Sequence, residues 1–256
     1  MSLISIIKGI LNLQKKIEVK KLPSQGIFYQ DDFEIFIKKA DIEDVIEYEH
    51  KYDREDLSSV IQRLKKIVEK NVILPNGYSY SDIKSIDIVF LFLEIVKFTN
   101  SKPVTLYYFN DLKGVEEKIE FDTETFNYFE LNDGLKKYYN NESKEFVIEG
   151  YKYSVPCIGV ENSLTHFLVH KSEDPASEVY NNYSYDFLYF LGHKSNLSFD
   201  EIENLIQIFN FDMDESDQKK IRKIVKDLSI IGKYSLKKDS QIIDVTAKID
   251  LGTIWK

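Results

Sequence analysis

Apolar residues recur at intervals of three and four along much of the chain, the spacing of one face of an α-helix. Good N-caps precede two of these stripes: Asp41 precedes 42–52, and a capping box of Ser198 and Glu201 precedes 202–209. Asn71 follows the most regular stripe as a residue that can end a helix. The pattern predicts helices over 1–14, 42–52, 56–71, 81–98, 161–168, 187–191, 202–209 and 221–228.

Apolar and polar residues alternate in several shorter stretches, and this alternation predicts half-buried β-strands. Residues 17–19 and 33–37 are expected to pair as a small hairpin. Residues 103–121 and 146–155 each predict a hairpin, with turns at 110–114 and 149–150. Residues 242–251 alternate in the same way and predict a final strand. We therefore expect an α+β fold, mainly helical with short antiparallel β-hairpins.

These elements divide the chain into four regions. Residues 1–21 form an N-terminal amphipathic arm, and residues 22–100 form a helical domain that begins with a turn. Residues 101–160 form a β-hairpin region, and residues 161–256 form a C-terminal helical region that ends in a strand.

Composition narrows the classes of protein to consider. The chain has 17 Tyr and 17 Phe, and large rings both fill cores and mark surfaces where one protein buries another. The longest apolar run, 86–98, contains Asp87, Glu94 and Lys97, so it is too short and too charged to span a bilayer. A single cysteine, Cys157, excludes an internal disulfide. We expect a soluble protein, made in a reducing cytoplasm, that does not bind a membrane.

The net charge of −9 is unevenly distributed. Five lysines and one glutamate give residues 1–21 a net charge of +4, although the chain as a whole is acidic. An acidic body argues against nucleic-acid binding, which needs a broad basic face. A basic arm on such a body fits contact with an acidic neighbour, including a further copy of this chain.

The candidate chemical groups form no recognisable catalytic or metal-binding set. His166 and His170 have the i, i+4 spacing of paired zinc ligands, but Phe167 replaces the glutamate of the metalloprotease pattern. The sequence from Asp212 to Asp217 begins like a calcium loop but lacks its glycine, and predicts a helix N-terminus. Cys157 is expected to be a buried, inert thiol. The sequence therefore predicts a protein that is not an enzyme and has no metal or other cofactor.

The segment Leu22-Pro23-Ser24-Gln25-Gly26-Ile27-Phe28-Tyr29, which we call the signature segment, stands out from the rest of the chain. Pro23 fixes its own φ and Gly26 tolerates a positive φ, so the segment predicts a tight turn followed by two large rings. The rings would fill either the protein's own core or a contact with a neighbouring subunit. We expect the second, with an interface formed by Leu22, Pro23, Gly26, Phe28 and Tyr29 together with Ile6, Ile10 and Leu13 of the arm.

The signature segment and the strand 33–37 that follows it resemble the signature near the start of the baseplate-hub protein family of contractile-tailed (T-even-like) bacteriophages. The later stretch 146–168, which contains Val-Pro-Cys-Ile-Gly-Val-Glu-Asn at 155–162, is similar to members from large phages of Gram-positive hosts. Some members carry paired cysteines in a ribbon-like hairpin, and this chain does not, so the resemblance implies no zinc site here.

The resemblance implies a structural protein of the virion, located in the tail baseplate and assembled in the host cytoplasm. Its partners would be other tail and baseplate-hub proteins, including the tape measure protein or further copies of itself. The alternative is an assembly chaperone that binds hub subunits and is absent from the finished particle.

Overall fold

The structure is a computed structural model, and it describes residues 16–24, 26–50, 57–111, 113–122, 128–172, 186–192, 195–231, 235–238, 241–244 and 254–255. The predicted N-terminal helix, with the predicted contact residues Ile6, Ile10 and Leu13, lies outside these ranges.

The described residues form seven α-helices and ten short strands, which confirms the expected α+β fold with small antiparallel sheets. The helices are α1 (Ile42–His50), α2 (Leu57–Asn71), α3 (Ser85–Asn100), α4 (Asp133–Lys136), α5 (Ile158–Ser172), α6 (Phe199–Gln207) and α7 (Glu215–Ile231). The strands are β1 (Lys16–Glu18), β2 (Phe36–Lys38), β3 (Val72–Ile73), β4 (Val104–Asn110), β5 (Val115–Phe121), β6 (Tyr139–Asn140), β7 (Glu145–Ile148), β8 (Tyr151–Tyr153), β9 (Ser235–Lys238) and β10 (Gln241–Asp244). Short 3₁₀ turns cover Tyr80–Asp82 and Asp186–Phe190, and a π-helical turn covers Ile208–Asp212.

Polar side chains fix several helix ends as the sequence predicts. The Asp44 amide donates to Asp41 Oδ1 at 3.1 Å at the start of α1. The side chain of Asn71 donates to the Ile67 carbonyl at 2.9 Å in the last turn of α2. Ser198 and Glu201 form both hydrogen bonds of a capping box at the start of α6.

Helix α3 begins at Ser85, four residues later than the periodicity predicts. The reason is an antiparallel bridge between Lys84 and Cys157, which keeps this part of the chain extended. The Ser85 amide donates to the Pro156 carbonyl at 2.8 Å, and the Ile158 amide donates to the Ile83 carbonyl at 3.0 Å. A long-range backbone pairing of this kind leaves no periodic signal in the local sequence.

All the predicted β-hairpins form. β1 pairs with β2, β4 with β5, and β7 with β8, each antiparallel. The turn between β7 and β8 contains Glu149 at φ +49° and Gly150 at φ +81°, so both residues are left-handed. The tail forms β10, paired with β9, as far as Asp244, and the rest of its predicted range, 245–251, lies outside the described residues. The sequence did not reveal β9, the partner of β10. It also did not reveal β3 and β6, which have two residues each and extend two of these sheets.

Buried apolar residues form two clusters. The first cluster contains side chains from α1, α2, α3, β2, β4 and β5, together with Leu236, Ile243 and Trp255. The second cluster contains side chains from β7, β8, α5, α6 and α7. The predicted region 101–160 is thus divided between the two, because β4 and β5 pack in the first cluster and β7 and β8 in the second.

Helix α3 is the central element of the first cluster, and every residue from Ser85 to Val96 is buried. Its first apolar residue, Ile86, packs in the second cluster, whereas Ile158 at the start of α5 packs in the first. The two clusters therefore interlock at the bridge between Lys84 and Cys157. None of the helices in the described ranges is long and apolar enough to cross a membrane.

The start of α5 packs so closely on residues 195–196 that only glycine fits at position 159. A Cβ on Gly159 would lie 1.6 Å from the Ser195 carbonyl oxygen. We expect Gly159→Ala to lower the free energy of unfolding by about 3 kcal/mol, because the obstructing atom is backbone and the helix must shift. Urea unfolding monitored by circular dichroism measures this change.

Gly134→Ala in α4 is the matched control, because its Cβ would meet only the side-chain oxygen of Asn132 at 3.2 Å. Its change should stay within about 1 kcal/mol, since the helix propensity of alanine offsets the contact. Equal unfolding midpoints for the two variants would contradict the close packing of α5 on Ser195.

Candidate functional site

The signature segment folds into the tight turn that its sequence predicts. The Ile27 amide donates to the Ser24 carbonyl at 3.0 Å, and the Tyr29 amide donates to the Gly26 carbonyl at 3.3 Å. Gly26 has φ +72°, a left-handed conformation that glycine adopts without strain. The Pro23 carbonyl accepts from the Phe129 amide at 3.0 Å, so the turn is also tied to a distant part of the chain.

The side chains of Leu22, Pro23, Ser24, Phe28 and Tyr29 in the signature segment are buried inside the protein. Leu22, Phe28 and Tyr29 are 6%, 5% and 4% exposed, and Pro23 is also buried. The expectation that these residues form an intermolecular interface is therefore corrected, because their side chains are already covered by this chain's own core. Of the five interface residues predicted in this segment, only Gly26 is exposed.

The two adjacent rings enter different clusters. Phe28 packs in the second cluster, with its ring centroid 5.6 Å from that of Phe129 and 6.0 Å from that of Phe146. Tyr29 packs in the first cluster and stacks on Phe33 at 3.9 Å. The signature segment is thus a junction between the two halves of the core.

A buried carboxylate holds this junction to helix α3. Asp87 is fully buried, and its Oδ1 accepts from the Ser24 amide at 2.9 Å while its Oδ2 accepts from the Tyr29 hydroxyl at 2.8 Å. The Tyr29 hydroxyl in turn accepts from the Lys84 amide at 2.7 Å. We call Ser24, Tyr29, Lys84 and Asp87 the junction network. It satisfies two backbone amides that would otherwise be buried without acceptors.

Burial is the largest cause of the pKa shifts of Asp87, Tyr29, Lys84 and Cys157. It raises the pKa of Asp87 to about 6, although the hydrogen bonds from Ser24 and Tyr29 and the charge of Lys84 act in the opposite direction. Burial and then the nearby Asp87 raise the pKa of Tyr29 well above its ordinary value. Burial lowers the pKa of Lys84 and raises the pKa of Cys157. A buried thiol with a raised pKa is a poor nucleophile near neutral pH, in agreement with the inert Cys157 that the sequence predicts.

Two cavities flank the signature segment. A cavity of about 200 Å³ borders Lys84, Glu145, Ser154 and Cys157 on one side. A larger, open cleft of about 530 Å³ borders the outer side of the turn, and we call it the signature cleft. Its lining includes Lys20, Lys21, Gly26, Gln30 and Tyr139.

The other candidate residues pack against a ring or lie at a helix end. His166 and His170 both lie against the ring of Phe199, at centroid distances of 5.3 and 5.2 Å. Asp214 precedes the first turn of α7, where its carbonyl accepts from the amides of Asp217 and Gln218, which confirms a helix N-terminus there. Within the described residues, no group of three or more His, Cys, Asp or Glu side chains could hold a metal ion.

The sequence does not reveal the junction network. In the sequence, Asp87 is evident only as a charge that interrupts an apolar run. A carboxylate surrounded by apolar neighbours in a helix requires buried hydrogen-bond donors. Asp87 in its apolar run therefore indicates that such donors face it. The identity of those donors was not available, because Ser24 lies 63 residues away in the sequence.

Comparisons with family models, with curated proteins and with solved structures found no match.

The hydroxyl of Tyr29 should contribute to stability out of proportion to its size. Tyr29→Phe removes the donor to Asp87 and the acceptor for the Lys84 amide, and leaves both groups buried. We expect a loss of about 2–3 kcal/mol in the free energy of unfolding, measured by urea titration. Tyr107→Phe is the matched control, because Tyr107 is 44% exposed, and its variant should match the parent. A Tyr29→Phe protein as stable as this control would show that the network does not hold the junction.

Ionisation of Asp87 should make stability depend on pH. Its pKa in the folded protein, about 6, lies above the ordinary value of 3.8, so folding favours the protonated carboxyl. That contribution is complete below about pH 4 and is lost as the pH rises through about 6. A shift of about two units corresponds to about 3 kcal/mol.

Asp87→Asn isolates this effect, because an amide keeps an acceptor for the Ser24 amide and does not ionise. The free energy of unfolding of the parent minus that of Asp87→Asn should fall by about 2–3 kcal/mol between about pH 4 and 7.5. Taking the difference cancels the titration of other groups. Parallel pH profiles for the two proteins would contradict the raised pKa.

Proposed function

We propose that this chain is a non-enzymatic structural component of a contractile phage tail baseplate hub, where it holds other tail proteins through protein–protein contacts. The proposal starts from the resemblance of the signature segment and of residues 33–37 to that family. The tape measure protein, other hub proteins and further copies of the chain are the candidate partners.

The observation that carries the proposal is the position of the signature segment at the junction of the two clusters. Phe28 packs in one cluster and Tyr29 in the other, and Asp87 fixes the turn between them. A subunit of a mechanical particle must keep its parts in a fixed relative position. A sequence signature that forms such a junction fits a protein whose function is to hold a fixed structure.

The chemistry of the candidate groups also favours a structural role. The pKa of the Cys157 thiol is raised by burial, and His166 and His170 lie against Phe199. Asp87 has a perturbed pKa, but its two oxygens already accept hydrogen bonds from the protein itself. These groups are used in packing and in internal hydrogen bonds.

We propose the signature cleft as the surface that contacts a tail partner. Its inner wall is the turn of the signature segment, so its shape depends on the residues that carry the family resemblance. Lys20 and Lys21 are exposed at its edge, on a chain that is otherwise acidic. A partner with an acidic segment would complement this edge.

The experiment is complementation of a phage that lacks the gene for this chain, followed by mass spectrometry of purified tails. We expect the parent protein in purified tails at a fixed ratio to the other hub proteins. The double charge reversal Lys20→Glu with Lys21→Glu should reduce its incorporation at least about tenfold, because close like charges across an interface cost several kcal/mol. Lys223→Glu with Lys226→Glu on α7 is the matched control, with the same change in net charge at exposed positions.

A chain that is needed for assembly yet absent from purified tails would replace this proposal with the chaperone alternative. Normal tails without the chain would reject both. Equal incorporation of the two double variants would reject the signature cleft as the contact surface while leaving the structural role in place.

A further inference from the structure

Three polar side chains at the cavity of about 200 Å³ beside the signature segment have no hydrogen-bond partner among the described residues. Lys84 borders this cavity and is only 8% exposed. Ser143 and Ser154 border it as well, and the hydroxyl oxygen of each is buried and unpaired. Buried polar groups are normally paired with protein, water or an ion. Three unpaired groups around one cavity therefore indicate a site for a molecule that supplies their partners.

The ammonium of Lys84 lacks a counter-ion within the described part of the chain. Burial lowers its pKa, and nearby acidic groups only partly offset this, because none of them forms a hydrogen bond with the ammonium. An isolated ammonium in a protein interior is costly unless an anion pairs with it. The cavity is open to solvent, so such an anion can enter from outside.

The two carboxylates that border the cavity are engaged elsewhere. Glu145 forms an ion pair with Lys152 at 3.3 Å. The carboxylate of Asp82 accepts hydrogen bonds from the amide and the hydroxyl of Ser79, at 2.7 and 2.8 Å. Neither carboxylate contacts the ammonium of Lys84 directly.

Charge and size select the ligand. Lys144, the other lysine at the cavity, pairs with Asp31 at 2.8 Å. One unpaired positive charge thus remains beside two hydroxyl groups that can donate hydrogen bonds. A singly charged oxyanion matches this set, whereas a phosphate dianion would bring excess negative charge close to Glu145 and Asp82. The cavity is smaller than the roughly 300–1,000 Å³ of pockets for drug-sized ligands, so the bound group has few atoms.

We propose that this cavity binds a carboxylate group, with Lys84 as its ion-pair partner and Ser143 and Ser154 as hydrogen-bond donors. The carboxylate belongs either to a free small acid or to the C-terminus of another protein chain. Hydrogen bonds between ionised groups are about twice as strong as neutral ones, so the ammonium contributes most of the affinity.

The test is a titration of the purified, isotope-labelled full chain with sodium acetate, followed by nuclear magnetic resonance of the backbone amides. Sodium chloride at the same ionic strength is the reference for general salt effects. We expect saturable shifts at the amides of Lys84, Ser154 and Cys157. The dissociation constant should be about 1–10 mM, a range that so small a ligand can reach.

Substitutions at the cavity separate the contributions of charge and hydroxyl groups. Lys84→Met should raise the dissociation constant at least about tenfold, because it removes the charge and keeps a side chain of similar length. It also keeps the backbone amide that donates to Tyr29. Ser154→Ala should raise the constant at least about threefold, and it removes no side-chain hydrogen bond within the protein. Lys102→Met is the matched control, because Lys102 is exposed beyond the other end of α3, and it should leave binding unchanged.

A peptide distinguishes the two sources of the carboxylate. If N-acetyl-trialanine with a free C-terminus binds more tightly than acetate, the site is for a chain terminus, because the cavity then also accommodates the backbone that precedes the carboxylate. If the peptide binds more weakly than acetate, the site is for a free small acid. The same peptide with an amidated C-terminus should not bind, since it has no charge to pair with Lys84.

Several outcomes would overturn the inference. Acetate shifts no larger than those of chloride would show that the cavity holds only water. Shifts confined to residues away from the cavity, equal affinities of Lys84→Met and the parent, or binding of the amidated peptide would each reject the site as well. These measurements use the isolated chain, so their outcome is independent of the proposed role in a phage tail.

Discussion

The buried carboxylate of Asp87 is the interaction on which the rest of the structure depends. It lies in the first turn of α3, the most buried helix, and there it accepts hydrogen bonds from the turn that leads into both clusters. A helix N-terminus favours a negative charge, and the two donors compensate part of the cost of burying it. Without these donors, α3 would present an unpaired carboxylate to an apolar interior. Without a side-chain oxygen at this position, the amide of Ser24 would have no acceptor.

The same arrangement links the regions into which the sequence divides the chain. The bridge between Lys84 and Cys157 joins the start of α3 to the start of α5, so each helix contributes an apolar residue to the cluster of the other. The signature segment adds a second link, because Phe28 and Tyr29 are adjacent in the chain and pack in opposite clusters. The fold is built from two cores that share their connecting elements.

Local signals in the sequence predicted most helices and three hairpins, and they missed strand β9 of the hairpin that β9 and β10 form. Periodicity, capping residues and turn residues act over a few positions, and they were sufficient for α1, α2, α6 and the two long hairpins. They failed where the decisive contact is remote: α3 begins late because Ile83 and Ser85 pair with residues near 157. The same limit explains why the sequence predicts only part of the candidate site. The turn at Pro23 and Gly26 was predictable, but whether Phe28 and Tyr29 face solvent depends on Phe129, Phe146 and Asp87, which only the folded chain brings together.

The position of Trp255 in the sequence affects the order in which the two clusters become complete during synthesis. Its ring meets those of Tyr48 and Phe92, and Leu236 and Ile243 also pack in the first cluster. The buried residues of that cluster run from Leu22 to Trp255, so it is complete only after residue 255 has been synthesised. The second cluster draws its buried residues from positions 28 to 228 and is complete earlier on the ribosome. Domains usually fold from the N-terminal side during synthesis. Here the first cluster needs Leu236, Ile243 and Trp255, which are made after the last buried residue of the second cluster, and its apolar helix α3 lacks part of its cover until then.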